Sequence, residues 1–227
     1  MPSPLAFMIV GGVTASVTAV ATPVAMRVAV KAGVLVAPDD RNVHSYPTPP
    51  LGGVAMFVGL LAGLLTAWAL GDFAAVFASP TEMVGFLLAA TLMCGVGVLD
   101  DVRPVSAPAK VAGMVAGASI LSLAGISLLV LRIPFLDLVI LSPDLSALLT
   151  VVWVVLIANA VNLIDGLDGL AAGIVGIAAL TFFLYALQLE ESGVLFDGNP
   201  GSLIALLTVG VCVGFLPHNV HPARIFM

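Results

Sequence analysis

The sequence predicts an all-α, polytopic membrane protein of about seven transmembrane helices, and three observations carry that prediction. Of its 227 residues 61% are hydrophobic and only 9% charged, with a mean hydropathy of +1.21, too little polar surface to cover a water-soluble globule. The apolar runs are mostly about 17 to 25 residues long, the length an α-helix needs to cross about 30 Å of hydrocarbon. Alternating ten-residue strands, the signature of a membrane barrel, are absent from the sequence.

Taken in order, the first run, Leu5 to Val30, lacks a basic leader and a cleavage site, so it reads as a retained span rather than a signal peptide. Leu51 to Leu70 follows a proline- and glycine-rich loop. Glu82 to Leu99 ends in adjacent aspartates, and Lys110 to Ile126 begins on a lysine. Between the fourth and fifth runs, Leu128 to Pro143 is apolar but interrupted by Arg132, Pro134 and Asp137, which predicts a short hairpin at the surface. Leu145 to Ala160, Leu170 to Leu189 and Ser202 to Pro217 complete the series. The two cysteines, Cys94 and Cys212, fall inside apolar runs and read as small core residues rather than a disulfide or metal pair.

An alternating topology assigns each loop to a side. Arg27, Lys31, Arg41, Arg103, Lys110 and Arg224 share one face, with Arg132 opposite, and the positive-inside rule makes that face cytoplasmic and the N-terminus external. His44, His218 and His221 fall on the same side, as do Asp39, Asp40, Asp100, Asp101, Asp165 and Asp168. Carboxylates, amides, histidines and cations from four loops are therefore expected on one cytoplasmic face of a multi-pass cell-membrane protein. The net charge of −6 offers no footprint for nucleic acid.

Four stretches are able to carry chemistry. In GVLDDVRP, Asp100 and Asp101 repel each other unless a divalent cation or a shared proton intervenes; a solvated helix end before a proline fits as well. In ANAVNLIDGLDGLA, Asn159, Asn162, Asp165 and Asp168 recur every three residues, and Gly166 and Gly169 predict a broken helix. Such breaks at membrane depth face protein or a wet cavity and mark substrate sites, the alternative being a glycine-rich connector with capping asparagines. The loop PDDRNVHSYPTPPLGG places Arg41 and His44 where they would meet an anionic ligand, or merely solvent. GFLPHNVHPARIFM crowds Asn219, Arg224 and Phe226 together, and its HxxH pair is weak evidence for a metal without further ligands. Lys110 fits either an interfacial snorkelling lysine or a phosphate contact beside the acids.

These four motifs, in this order, resemble those of the polyprenyl-phosphate N-acetylhexosamine-1-phosphate transferases, and within them the bacterial UDP-N-acetylglucosamine branch, actinobacterial versions above all. The resemblance spans nearly the whole chain, 1–227, as one integral-membrane domain. It implies transfer of N-acetylglucosamine-1-phosphate from a UDP-sugar to a polyprenyl phosphate lipid, with release of UMP, in cell-envelope glycan synthesis. It implies Mg²⁺, with Mn²⁺ as an alternative ion. Asp100 and Asp101 would lie at the reaction centre and, with Asn162 and Asp165, beside the metal. Lys110 would meet phosphate, Gly166, Asp168, Asn219 and Phe226 the nucleotide, and a homodimer is compatible with the family. In the family the last motif continues past the equivalent of Met227 into a Gly-Asp segment with a principal metal ligand, so the chain is expected to be incomplete at its C-terminus.

Three other readings compete. An N-acetylmuramoyl-pentapeptide donor is disfavoured by Tyr46 before PTPPLGG and by the lack of the lysine and glycine expected of the muramoyl branch in that loop. An ion-coupled transporter would place its acids near the midplane and show internal repeats. A non-catalytic fragment would bind the UDP-sugar poorly and release no UMP.

Overall fold

The computed structural model describes residues 2–35, 47–133, 137–196 and 198–227. Its elements are α1 (Pro4–Lys31), α2 (Gly52–Leu70), the single turn α3 (Ala74–Phe77), α4 (Pro80–Val102), α5 (Ala107–Leu123), a hairpin of β1 (Val130–Ile133) and β2 (Asp137–Ile140), α6 (Pro143–Ile164), α7 (Leu170–Glu191) and α8 (Gly201–Asn219). All seven expected spans are helices. Six of them, α1, α2, α4, α6, α7 and α8, are long and apolar enough to cross a membrane. The seventh, α5, has 17 residues, a rise of about 26 Å, because the chain turns at Ala124 and Gly125 instead of continuing to Ile126.

The chain divides into two compact units, Met1–Ala78 with Asn162–Met227, and Ser79–Val161. In the first, α1 packs on α2 and α8, and α7 on α8. Water-driven burial of large apolar side chains has little to offer between membrane helices, so close approach of small residues must do the work. Thr14, Thr18 and Thr22 recur every fourth residue of α1 and are at most 1% exposed. Each hydroxyl donates to the carbonyl four residues earlier, at 2.7, 2.8 and 2.7 Å, so all three enter the interface with their hydrogens bonded. Gly59 and Gly63 of α2, and Gly210 and Gly214 of α8, lie against Thr14 and Thr18, where any β-carbon would collide with the threonines or the α1 backbone. The outward surface carries Val20, Leu65, Ile177 and Phe182, the apolar face that lipid requires.

The far end of α1 is fastened by polar and aromatic contacts. Ser3 caps the helix, its Oγ accepting from the Ala6 amide at 3.2 Å, and Asp72 accepts from the Ser3 amide and hydroxyl at 3.1 and 2.7 Å. Phe7 meets Phe73 and Phe183 edge to face, with ring centroids 5.3 and 5.4 Å apart.

In the second unit α4 packs on α5, and the expected hairpin is present, antiparallel with Val130 opposite Ile140. It is tied to α6 at its base: the Leu128 amide donates to Thr150 Oγ1 at 2.9 Å, and Ser146 Oγ donates to the Leu128 carbonyl at 2.6 Å. Asn159 donates to the Val155 carbonyl at 2.8 Å and reaches Met114 Sδ at 3.4 Å, a polar stitch of α6 to α5. Cys94 is half-buried in α4 and Cys212 buried in α8, both as free thiols.

Candidate functional site

Within the first unit, three of the four motifs meet. The helix breaks where expected: α6 ends at Ile164, and a turn from Asp165 to Gly169 leads into α7. Gly169 is the residue before α7 and has φ +71°, a conformation that costs other residues about 1–2 kcal/mol. Gly166 has no such requirement and an open flank. Asn162 is exposed on the last turn of α6, and Asp165 is half-buried in the turn.

The end of the chain folds back onto this turn. Asn219, at the C-terminal residue of α8, is 2% exposed and uses both ends of its amide. Its Oδ1 accepts from the Gly169 N–H at 3.0 Å, and its Nδ2 donates to the Ile225 carbonyl at 2.9 Å. Asp168, its side chain 5% exposed, accepts from the Ala223 N–H at 3.0 Å and pairs with His221 Nδ1 at 2.8 Å. Ile225 is fully buried with Ala25, Ala55, Ala172 and Phe215, so the segment has an apolar anchor as well.

The PTPPLGG motif supplies the other wall. The Phe226 N–H donates to the Pro49 carbonyl at 3.0 Å, and the Gly52 N–H donates to the Phe226 carbonyl at 2.9 Å. A β-carbon on Gly52 would run into that carbonyl and the Phe215 ring, so only glycine permits the approach. Leu51 just before it has φ +81°, an uncommon conformation for a branched residue and one held here by its neighbours. Asp39, Asp40, Arg41 and His44 lie outside the described residues.

The histidines do not form a pair. His218 Nε2 sits 3.1 Å from the Ala19 carbonyl, and His221 faces Asp168. Among the described residues no group of three or more His, Cys, Asp and Glu side chains is placed to hold a metal ion. Asn162 and Asp165 offer oxygen donors of the kind Mg²⁺ prefers, as do Asp100 and Asp101.

Those two aspartates lie in the second unit, at the last turn of α4. Asp100 Oδ1 accepts from the Val105 N–H at 3.1 Å, which folds the short link between α4 and α5. Its Oδ2 pairs with Lys110 Nζ at 2.5 Å, the lysine rising from the first turn of α5. Both side chains are about a third exposed, 30% for Asp100 and 34% for Lys110, so the pair is open to a ligand. Asp101 is half-exposed beside it. Two adjacent acids and a lysine can attract a cation and a phosphate together.

Sequence reasoning did not identify the Pro49 and Gly52 contacts with Phe226, the left-handed backbone of Leu51, the burial of Asn219, or the partners of His218 and His221. A signal existed for one of them: Pro23 stands four residues after Ala19 and cannot donate to its carbonyl.

Helices of membrane length and composition, with their polar and charged motifs at helix ends and in the turns between them, define a multi-pass membrane protein. The chain belongs to glycosyl transferase family 4, whose profile matches residues 83–227. It is 38% identical over 202 residues to the decaprenyl-phosphate N-acetylglucosaminephosphotransferase of Mycobacterium tuberculosis, covering 87% of this chain and 50% of the relative. It is 33% identical over 197 residues to a probable undecaprenyl-phosphate N-acetylglucosaminyl 1-phosphate transferase of Bacillus subtilis, covering 87% and 51%. A phospho-N-acetylmuramoyl-pentapeptide-transferase of Clostridioides difficile is 32% identical over 213 residues, covering 87% and 61%. The chain thus spans about half the length of the mycobacterial and Bacillus relatives.

Proposed function

We propose that this chain belongs to an enzyme that transfers N-acetylglucosamine-1-phosphate from UDP-N-acetylglucosamine to a polyprenyl phosphate, releasing UMP, at the cytoplasmic face of the cell membrane. One observation carries the reading: the turn Asp165–Gly169 and the terminal segment Val220–Met227, the motifs that resemble the family's nucleotide site, are hydrogen-bonded to each other in one unit. The relatives named for N-acetylglucosamine support this donor over the muramoyl one, in agreement with Tyr46 in the first loop. The cytoplasmic placement rests on the basic residues Arg27, Lys31, Arg103, Lys110 and Arg224 at one set of helix ends.

In this reading an oxygen of the lipid phosphate attacks the phosphorus that bears the sugar. The bond from that phosphorus to the bridging oxygen breaks, and the electron pair leaves with UMP. Lys110 holds phosphate oxygens, and Asp100 orients the lysine from the opposite side. Asp101 stands ready to position the acceptor or take its remaining proton. Phe226 offers an aromatic face and Gly166 an open backbone to uracil. Asn162 and Asp165 in the one unit, and Asp100 and Asp101 in the other, are each oxygen donors of a kind suited to Mg²⁺, which would neutralise the diphosphate and stabilise the leaving UMP.

The test is UMP release from UDP-N-acetylglucosamine by the protein in detergent with polyprenyl phosphate, with and without Mg²⁺, using this chain and the full product of its gene. Release that needs both lipid and Mg²⁺ and is lost in Asp101→Asn supports the reading. Silence of the full product with this donor and with the muramoyl donor overturns it.

A further inference from the structure

In the second unit α5 stops short of a full crossing. From Lys110, at its charged end, the helix rises about 20 Å before it ends at Leu123, against about 30 Å of hydrocarbon. The hairpin that follows is rooted at a matching depth: Leu128 is bonded to Ser146 and Thr150, and Thr150 lies about 10 Å along α6 from Pro143. We propose that the β1–β2 hairpin is an interfacial membrane anchor. Its root lies inside the leaflet, and its strands emerge along the headgroup layer with Val130, Leu138 and Ile140 against lipid and Arg132 on the headgroup phosphates.

Backbone outside a helix is tolerated at membrane depth only where protein satisfies its polar groups. The link from α5 to the hairpin meets that demand. The Gly125 N–H donates to the Ser122 carbonyl at 3.1 Å and the Ile126 N–H to the Leu121 carbonyl at 3.0 Å. Both polar groups of Leu128 are taken by α6 side chains, the N–H by Thr150 Oγ1 at 2.9 Å and the carbonyl by Ser146 Oγ at 2.6 Å. Ser146 and Thr150 are themselves buried, so these bonds are made away from water. The strands beyond have open edges, which hydrocarbon excludes and a hydrated headgroup layer accepts. Root and strands are therefore assigned to different depths by the same rule.

The pairing register decides which side chains share a face. Val130 stands opposite Ile140 and Arg132 opposite Leu138, so these four lie on one face, with Leu131 and Val139 on the other. On the first face Ile140 is 81% exposed and Leu138 64%, whereas Leu131 is 37% exposed and Val139 half-buried. An apolar face left this open is costly in water and at rest in lipid. It continues the lipid-facing surface of α6, where Leu145 and Leu148 are exposed. The face is also graded: Val130 and Ile140 stand at the root, and Arg132 and Leu138 about 7 Å further along the strands. That is the order from hydrocarbon to phosphate in a leaflet. A guanidinium at the outer level meets anionic headgroups while its stem covers apolar surface on the way.

The experiment uses the full product of the gene in lipid nanodiscs, with Cys94→Ala and Cys212→Ala, so that one spin label can be attached through Ile140→Cys, Leu138→Cys or Leu131→Cys. Collision with dissolved oxygen, which concentrates in hydrocarbon, and with a water-soluble nickel chelate reports the depth of each label. Oxygen contact is expected to exceed nickel contact at position 140, to be lower at 138, which lies nearer the water, and to be lower at 131 than at 140. In phosphatidylglycerol discs Arg132→Gln moves the label at 138 toward water, a shift absent from phosphatidylcholine discs. Free access of nickel to both 138 and 140 would put the face in water. Shielding of both positions from both reagents would put protein on it, another segment of the gene product or a second copy. Either result overturns the inference, and an Arg132→Gln shift of equal size in the two lipids overturns the headgroup contact.

Discussion

His218 Nε2 lies 3.1 Å from the carbonyl oxygen of Ala19, the group that Pro23, without an N–H, leaves unpaired within α1. A carbonyl can only accept, so Nε2 carries the hydrogen and the histidine replaces the missing helical donor. The contact ties α1 to the end of α8, one residue before Asn219, which holds the Gly169 N–H and the Ile225 carbonyl. A proline in a spanning helix is tolerated when a neighbour satisfies the freed group, and here that neighbour is a histidine expected from the sequence alone to be, at most, half of a weak metal pair.

It follows that His218→Ala costs about 1–2 kcal/mol, the penalty of a carbonyl left bare in a half-buried site. In a Pro23→Ala background the helix regains its own donor, and the same substitution should cost clearly less. Thermal unfolding in detergent of the two single variants and the double measures this coupling. Equal costs in both backgrounds would mean that the Ala19 carbonyl is not what His218 serves.

The threonine and glycine interface makes a second prediction. Gly59→Leu or Gly63→Leu drives a side chain into Thr18 or Thr14, and overpacking of this kind costs about 1–3 kcal/mol. Gly12→Leu on the same helix as the threonines, where a β-carbon meets nothing, should be close to neutral. Unfolding midpoints of the three variants in one detergent separate a packed face from a lipid-facing one.

How much of this was legible beforehand divides along a physical line. Helix existence, the hairpin and the break at Asp165–Gly169 depend on runs of apolar residues and on glycine, local properties that are written in order along the chain. The expected spans and the observed helices differ mainly at their ends, as at Ile126, where Gly125 turns the chain. Partners were not legible. His218 and Ala19 are 199 positions apart, and Asn219 and Gly169 are 50 apart, so their meeting is decided by how α1, α7 and α8 cross. The four-residue spacing of Thr14, Thr18 and Thr22, of Gly59 and Gly63, and of Gly210 and Gly214 was visible in the sequence as a close-packing signal, and passed unused. Arg41 and His44 lie outside the described residues.

A third prediction concerns acid. Hydrogen bonds from the Ser3 hydroxyl and amide hold the Asp72 carboxyl below its ordinary value of 3.8. A depressed folded value means that the contact stabilises the N-terminus of α1 above that pH and is lost as the pH falls through the folded value. The difference in unfolding midpoint between wild type and Asp72→Ala should therefore be constant near neutrality and shrink below about pH 4. A difference that persists at lower pH would assign the effect to packing instead.

The ion pair of Asp100 and Lys110 lends itself to the sharpest separation of function from stability. Each partner is about a third exposed, and open pairs of this kind contribute at most about 1 kcal/mol to folding. If Lys110 is there to hold phosphate oxygens, Lys110→Ala should leave the unfolding midpoint nearly unchanged yet lower UMP release by about a hundredfold or more. Lys110→Arg should recover only part of the loss, because a planar guanidinium does not replace a compact ammonium against the Asp100 carboxylate. Asp100→Asn keeps the acceptor for the Val105 amide but removes the charge facing Lys110, so its fall in rate, compared with that of the double variant, tells whether the two act as one unit. Independent, multiplying losses would place Asp100 at the reacting atoms in its own right, and a double variant no worse than either single one would make it the residue that aims Lys110.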